Sequence, residues 1–227
     1  MTQPSRIPHD WLQPQWPAPA GVRALCTTRA GGVSTGPCAS LNLGSHVGDD
    51  PSAVQANRQR LQAVVQGATP GARAVFLNQV HGTAVATINP ATPDGTEADA
   101  CVATQPGAVC TIMVADCLPV LLAHGSGAVV GAAHAGWRGL AGKGGVGVLE
   151  AVFERCKALA LSSSALAAIK NEANGRLAAR TMAWLGPCIG PTASEVGAEV
   201  REAVCSPPPA APACRAPRGQ GRLQADR

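Results

Sequence analysis

The sequence predicts a mixed α/β protein: layered mixed β-sheets flanked by helices, in a single domain. Three observations carry this. The chain has 227 residues, which suits one domain, and 46% of them are apolar while only 3% are aromatic. Its core is therefore aliphatic, built from Ala, Val and Leu. The middle of the chain is a series of short apolar runs of strand length, joined by hairpin-length links. Two longer segments, 52–67 and 146–161, carry the helical period instead. Strands outnumber helices and the links are short, so a layered mixed fold is favoured over a doubly wound parallel sheet.

In chain order, residues 1–20 are rich in Pro and polar groups, with Trp11 and Trp16, and read as an extended arm on the surface. Residues 22–28 (VRALCTT) read as a first strand. A long Gly-rich loop follows, RAGGVSTGPCASLNLGSHVGDDP; unstructured loops of this length are usually functional or disordered. The segment 52–67 has apolar residues at 54, 61, 64 and 65 and reads as a helix, capped by Asp50 or Ser52 beside Pro51. ARAVFLNQV is a strand leading to His81, and TAVATI is a second short strand. PATPDGTEADA reads as a turn-rich loop. AVCTIMVADC, PVLLAH and AVVGAAHAGW are further strand-length runs. VGVLEAVFERCKALAL is a core-facing helix, and 162–180 reads as more helix or as an insertion. AWLGPCIGP is a strand running into a Gly/Pro turn, and SEVGAEVREAV a last helix. The catalytic domain is thus expected over 21–204. Residues 205–227 form a Pro-rich tail expected to be disordered.

Composition also excludes function classes. The formal charge is +4, but five arginines against Glu202 and Asp226 in residues 201–227 account for most of it. A near-neutral body and few rings argue against nucleic-acid and membrane-surface partners. The nine cysteines are odd in number and contain no C-x-x-C, which argues against a disulfide framework or zinc ribbon. No secretory leader or long apolar span is visible, so the expected location is the cytoplasm, with thiols reduced.

Three apolar strands each end in a metal-capable side chain before a turn: FLNQVHG with His81, VADCLP with Cys117 and GAAHAG with His134. Strand ends of one sheet can bring such residues together. Two His and one Cys leave an open fourth position, the catalytic type of zinc site. The same trio also supports a Cys–His nucleophile, or nothing beyond packing. HAGWRGLAGKGG runs from a strand through a Gly-rich turn to a helix, an arrangement that suits an anion, and Arg138 adds bidentate charge. In the earlier Gly-rich loop, Arg29, Asn42 and His46 are the polar groups available to a ligand. Asp49 and Asp50 read as helix-capping residues.

NQVHG, ADACVAT, VADCLPVLL, AAHAGWRGL and WLGPCIGP occur in that order, with TTRAGGVS and SLNLGSHVGDD upstream. Together they resemble the bacterial proteins once called polyphenol oxidases or laccase-domain proteins, now regarded as zinc-dependent purine nucleoside phosphorylases. The resemblance implies zinc at His81, Cys117 and His134, with copper the less favoured metal. It implies phosphorolysis of adenosine or inosine, adenosine deamination as a second activity, and Arg29 and Asn42 at the site. His46 and Arg138 join them as expected substrate-binding groups. Some members are linked to peptidoglycan precursors, which gives the alternative of a Cys–His amide hydrolase. The family's last segment, with its F-x-S-Y-R-R-type strand, has no counterpart before Arg227. An inactive, truncated zinc-binding domain is therefore a further alternative, with stability and activity expected to be reduced.

Overall fold

The computed structural model describes residues 7–142, 144–162, 179–205 and 223–224. Its centre is a five-stranded sheet ordered β2 (Val85–Ile88), β3 (Ala100–Ala103), β6 (Val130–Ala135), β5 (Leu118–His124), β7 (Thr181–Leu185). β2 and β3 are parallel; the other neighbours are antiparallel. A second, two-stranded parallel sheet pairs β1 (Arg73–Phe76) with β4 (Ala108–Thr111). The mixed sense of the large sheet and its stacking on the small one match the layered α/β expectation.

Period-two alternation sorts the strands into layers. Ala100 and Val102 of β3 and Ala133 and Ala135 of β6 face the helix α3 (Val148–Ser162), where they meet Val148, Val152 and Cys156. Cys101, Ala103 and Ala132 point the other way, onto Val75 and Leu77. Ala74 and Phe76 of β1 then face α1 (Pro51–Ala68) through Leu61, Val64 and Val65. The order is helix, large sheet, small sheet, helix. Alanine at so many sheet positions lets these layers approach closely, as the aliphatic composition anticipates.

α1 starts where the sequence indicates. Asp50 accepts from Ser52 N at 3.0 Å, and Pro51 occupies the first turn, where its missing N–H costs nothing. The last helix, α4 (Ala198–Cys205), packs against a one-turn helix α2 (Trp137–Ala141). Glu195–Val196 pairs antiparallel with Leu223–Gln224. Among the described residues no helix is long and apolar enough to cross a membrane.

Two local expectations fail. Residues 22–28 are not a strand: only Cys26 pairs, with Leu12, in an isolated bridge. Its partner is the N-terminal arm, which is therefore more than surface chain. Trp11 is only 6% exposed and lies among Leu41, Leu61 and Val64, while Thr28 donates to Asp10 at 2.6 Å. Second, Ala100–Ala103, not among the strands read from the sequence, is the fully buried strand β3, while 90–99 before it is the expected turn-rich loop. Readings for 163–178 and for 206–222 lie outside the described residues.

Candidate metal centre

His81, Cys117 and His134 come together, with one ligand atom from each lying within 4.8 Å of the others. Sheet register explains how. β3 and β6 pair Ala100 with Ala133, so one step further along Asp99 faces His134. His134 N donates to Asp99 O at 2.7 Å, and both side chains lie on the face toward the small sheet. β5 pairs Leu118 with Ala135, which brings Cys117 opposite Gly136 at the same end. A Cβ on Gly136 would lie 2.9 Å from Cys117 Sγ and 3.1 Å from His81 Cδ2. Glycine is therefore what lets two members of the cluster meet here.

His81 arrives from the other sheet. Beyond β1, Asn78 bridges to Glu97 in parallel sense. Gln79 then mimics a backbone pair, donating to Met113 O at 2.7 Å and accepting from Met113 N at 2.8 Å. The chain turns sharply at His81, whose φ is 61°, a left-handed value uncommon for non-glycine residues. The turn is closed by Asp99, which is 0% exposed. Its carboxylate accepts from His81 N (2.8 Å), Gly82 N (2.6 Å) and Val80 N (3.2 Å) and pairs with His134 Nδ1 at 2.9 Å. The His81 and His134 rings meet edge to face, 4.7 Å between centroids.

His81 is exposed, Cys117 half-buried and His134 buried at 4%, so the cluster opens to solvent on one side. Partial desolvation beside its neighbours pushes the exposed His81 imidazole below its ordinary value, and the charges of His134, Arg138 and His46 push the same way, against Asp99. His46 and Arg138 thus stand within electrostatic reach of the cluster. Arg138 is exposed and lies over the Trp137 ring, 4.3 Å from its centroid, a cation–π contact that orients it. The segment after β6 is not one strand–turn–helix: the short α2 intervenes, and α3 starts only after a Gly-rich turn, capped by Glu150 accepting from Gly147 N.

Arg29 and Asn42 are engaged within their own loop. Arg29 donates twice to Ala39 O, at 2.9 and 2.6 Å. Asn42 Nδ2 donates to Gly44 O and to Asp49 Oδ2, and its Oδ1 accepts from Gly44 N. This sets the turn that leads to His46. The loop is anchored by Asn57, a fully buried α1 residue: its amide donates to Ser34 Oγ, Ser40 O and Asn42 O and accepts from Val33 N. Asp49 accepts from Ser34 and Asn42, and those bonds hold its carboxyl below its ordinary value.

Two imidazoles and a thiolate are donors that zinc takes, and three protein ligands is the catalytic count. Ligand atoms around tetrahedral zinc lie about 3.5 Å apart, so side-chain movements of about 1 Å close this cluster on an ion. The donor set and the Asp99 partner on His134 both fit a metal. Two other thiols are of another kind: burial pushes Cys156 up to about 12, and the half-buried Cys110 is held well above the usual range by its contact with Cys101 and by desolvation.

A family model described as multi-copper polyphenol oxidoreductase laccase matches residues 23–226. A Pseudomonas aeruginosa protein named purine nucleoside phosphorylase PA4543 is 48% identical over 85% of this chain and 68% of its own length. The Escherichia coli protein named purine nucleoside phosphorylase YfiH is 47% identical over 85% of this chain and 69% of its own. Among solved structures, Neisseria meningitidis protein NMB0706 superposes with a TM-score of 0.72 at 41% identity, over 96% of this chain and 78% of that one. YlmD from Geobacillus stearothermophilus gives 0.70 at 30% identity, over 92% and 74%.

Proposed function

Because this chain belongs to the multi-copper polyphenol oxidoreductase laccase family, we propose that it is a purine nucleoside phosphorylase, the activity named for its curated relatives. The observation that carries the reading is the convergence of His81, from beyond the small sheet, with Cys117 and His134 of the large sheet. Among the described residues it is the only such grouping of three. One three-ligand group does not make a multicopper cluster, so we take zinc over copper.

In the reaction the glycosidic C–N bond of inosine or adenosine breaks, and its electron pair leaves with the base. A phosphate oxygen forms the new bond to the anomeric carbon, giving ribose 1-phosphate. The ribose gains oxocarbenium character on the way, and the departing base takes up a proton. Zinc held by His81, Cys117 and His134 would supply Lewis-acid chemistry, including the activation of water that deamination of adenosine requires.

The chain's own groups do the rest. Arg138, oriented on Trp137, holds phosphate through paired charge-assisted bonds. Arg29, which has donors left over after its two bonds to Ala39 O, is the alternative group for the phosphate. Asn42 and His46 orient ribose or base. His46, whose charge reaches His81, and Asp116, next to Cys117 in the chain, are the two candidates for the group that protonates the departing purine. A cytoplasmic location goes with this reading.

The test is product analysis with inosine and adenosine, with and without inorganic phosphate. Free base and ribose 1-phosphate in equal amounts, formed only with phosphate, is the expected result. Inosine and ammonia from adenosine would mark the deaminase activity. Zinc-loaded protein that releases no base from either nucleoside in phosphate overturns the phosphorylase reading.

A further inference from the structure

We infer that Asp99 is a positioning residue for the metal ligands: it fixes His134 as the Nδ1–H tautomer and holds the turn that presents His81. The inference rests on reading the cluster as a metal site, but not on which reaction follows.

A carboxylate with no exposure is costly unless its lone pairs are filled. Asp99 is filled from two directions. Oδ1 takes His81 N–H at 2.8 Å and His134 Nδ1 at 2.9 Å; Oδ2 takes Gly82 N–H at 2.6 Å and Val80 N–H at 3.2 Å. Both oxygens of Asp99 already serve as acceptors for backbone N–H groups, so in its contact with His134 the carboxyl is placed as acceptor and Nδ1 as donor. With Nδ1 occupied, Nε2 is the one atom His134 can offer to an ion. Three successive backbone N–H groups wrapped around one carboxylate form an anion-binding nest. That nest compensates the left-handed backbone at His81, φ 61°.

One side chain therefore sets both imidazoles, although they come from different sheets. The third ligand follows from register, since Leu118 of β5 is paired with Ala135 of β6, next to His134. A partner that fixes tautomer and orientation typically accounts for a 10–100-fold difference in metal affinity.

The experiment uses the full chain. Nitrogen-15 NMR of histidine-labelled, metal-free protein reads the His134 tautomer directly, with its signals assigned by loss in His134→Gln. Zinc affinity is measured by competition with a chromophoric chelator for wild type and Asp99→Asn. The expected result is a single Nδ1–H tautomer at His134 in wild type, its loss in Asp99→Asn, and zinc binding weakened 10–100-fold. Asp99→Glu, which keeps the carboxylate, should retain the tautomer and recover part of the affinity. An Nε2–H tautomer in the wild type overturns the inference whether or not any variant folds. So does wild-type zinc affinity in folded Asp99→Asn, or a wild type that takes up no zinc. A wild type that binds zinc and shows the Nδ1–H tautomer but cleaves no nucleoside overturns the phosphorylase reading and leaves this one standing.

Discussion

Replacing Gly136 by alanine should damage the metal centre with one methyl group. The added Cβ would stand 2.9 Å from Cys117 Sγ, 3.1 Å from His81 Cδ2 and 3.9 Å from Cys117 Cβ. Nonbonded heavy atoms are comfortable at about 3.5–4.0 Å, so the sulfur must retreat by roughly 0.6 Å or more and the ring by about 0.4 Å. Gly136 is buried and Cys117 is tied to the start of β5, so neither side yields freely. Overpacking of this kind costs about 1–3 kcal/mol, which for a chain of this size lowers Tm by roughly 2–12 °C. Metal sites tolerate ligand errors of only about 0.2 Å, so zinc affinity should fall further than stability does. Calorimetry and zinc competition on the same preparation check both effects. A Gly136→Ala protein with wild-type Tm and wild-type zinc affinity would show that the close approach of Cys117 and His81 does not depend on glycine here.

Three further outcomes follow from the scaffold. Asn57→Ala removes four hydrogen bonds from a fully buried side chain and should cost about 3 kcal/mol, read by urea unfolding, with proteolysis speeding up in residues 29–49. Trp11→Ala should cost about 3–5 kcal/mol because the arm fills the α1 core; a loss below about 1 kcal/mol would return the arm to the surface. Asp49 is held below its ordinary 3.8 by Ser34 and Asn42. A depressed carboxyl stabilises above its unfolded pKa and loses that contribution as pH falls through its folded value. Wild type should therefore lose this increment below about pH 4, and Asp49→Ala should lack it at pH 7, so that the two stability curves converge in acid.

The three metal-capable residues were legible because each follows or ends an apolar run, but one sheet gathers only Cys117 and His134; His81 comes from beyond β1 of the other sheet, a layering that no local pattern announces. The layers were legible from run length and period. Asp99 was hidden inside PATPDGTEADA, where Pro, Gly and Asp speak for turns. The available signal was the ACVA run right after it: an acid that opens a fully buried strand must find donors nearby. Asn57 was hidden because α1 shows its apolar face at 54, 61, 64 and 65, and a polar residue among them reads as solvent-facing. The 22–28 run failed as a strand because its partner is the N-terminal arm, which pairs at a single residue. Polar loop residues looked available to ligands, but backbone carbonyls compete for them, as Ala39 O does for Arg29.

The most direct measurement is zinc content and phosphate-dependent cleavage of inosine on one purified sample, before and after chelation. The account predicts one zinc per chain, base release that requires phosphate, loss of both with chelator and recovery on adding zinc. His81→Ala and Cys117→Ala should then be without metal and without turnover. Phosphorolysis that persists at full rate in metal-free protein, or in either variant, would contradict it.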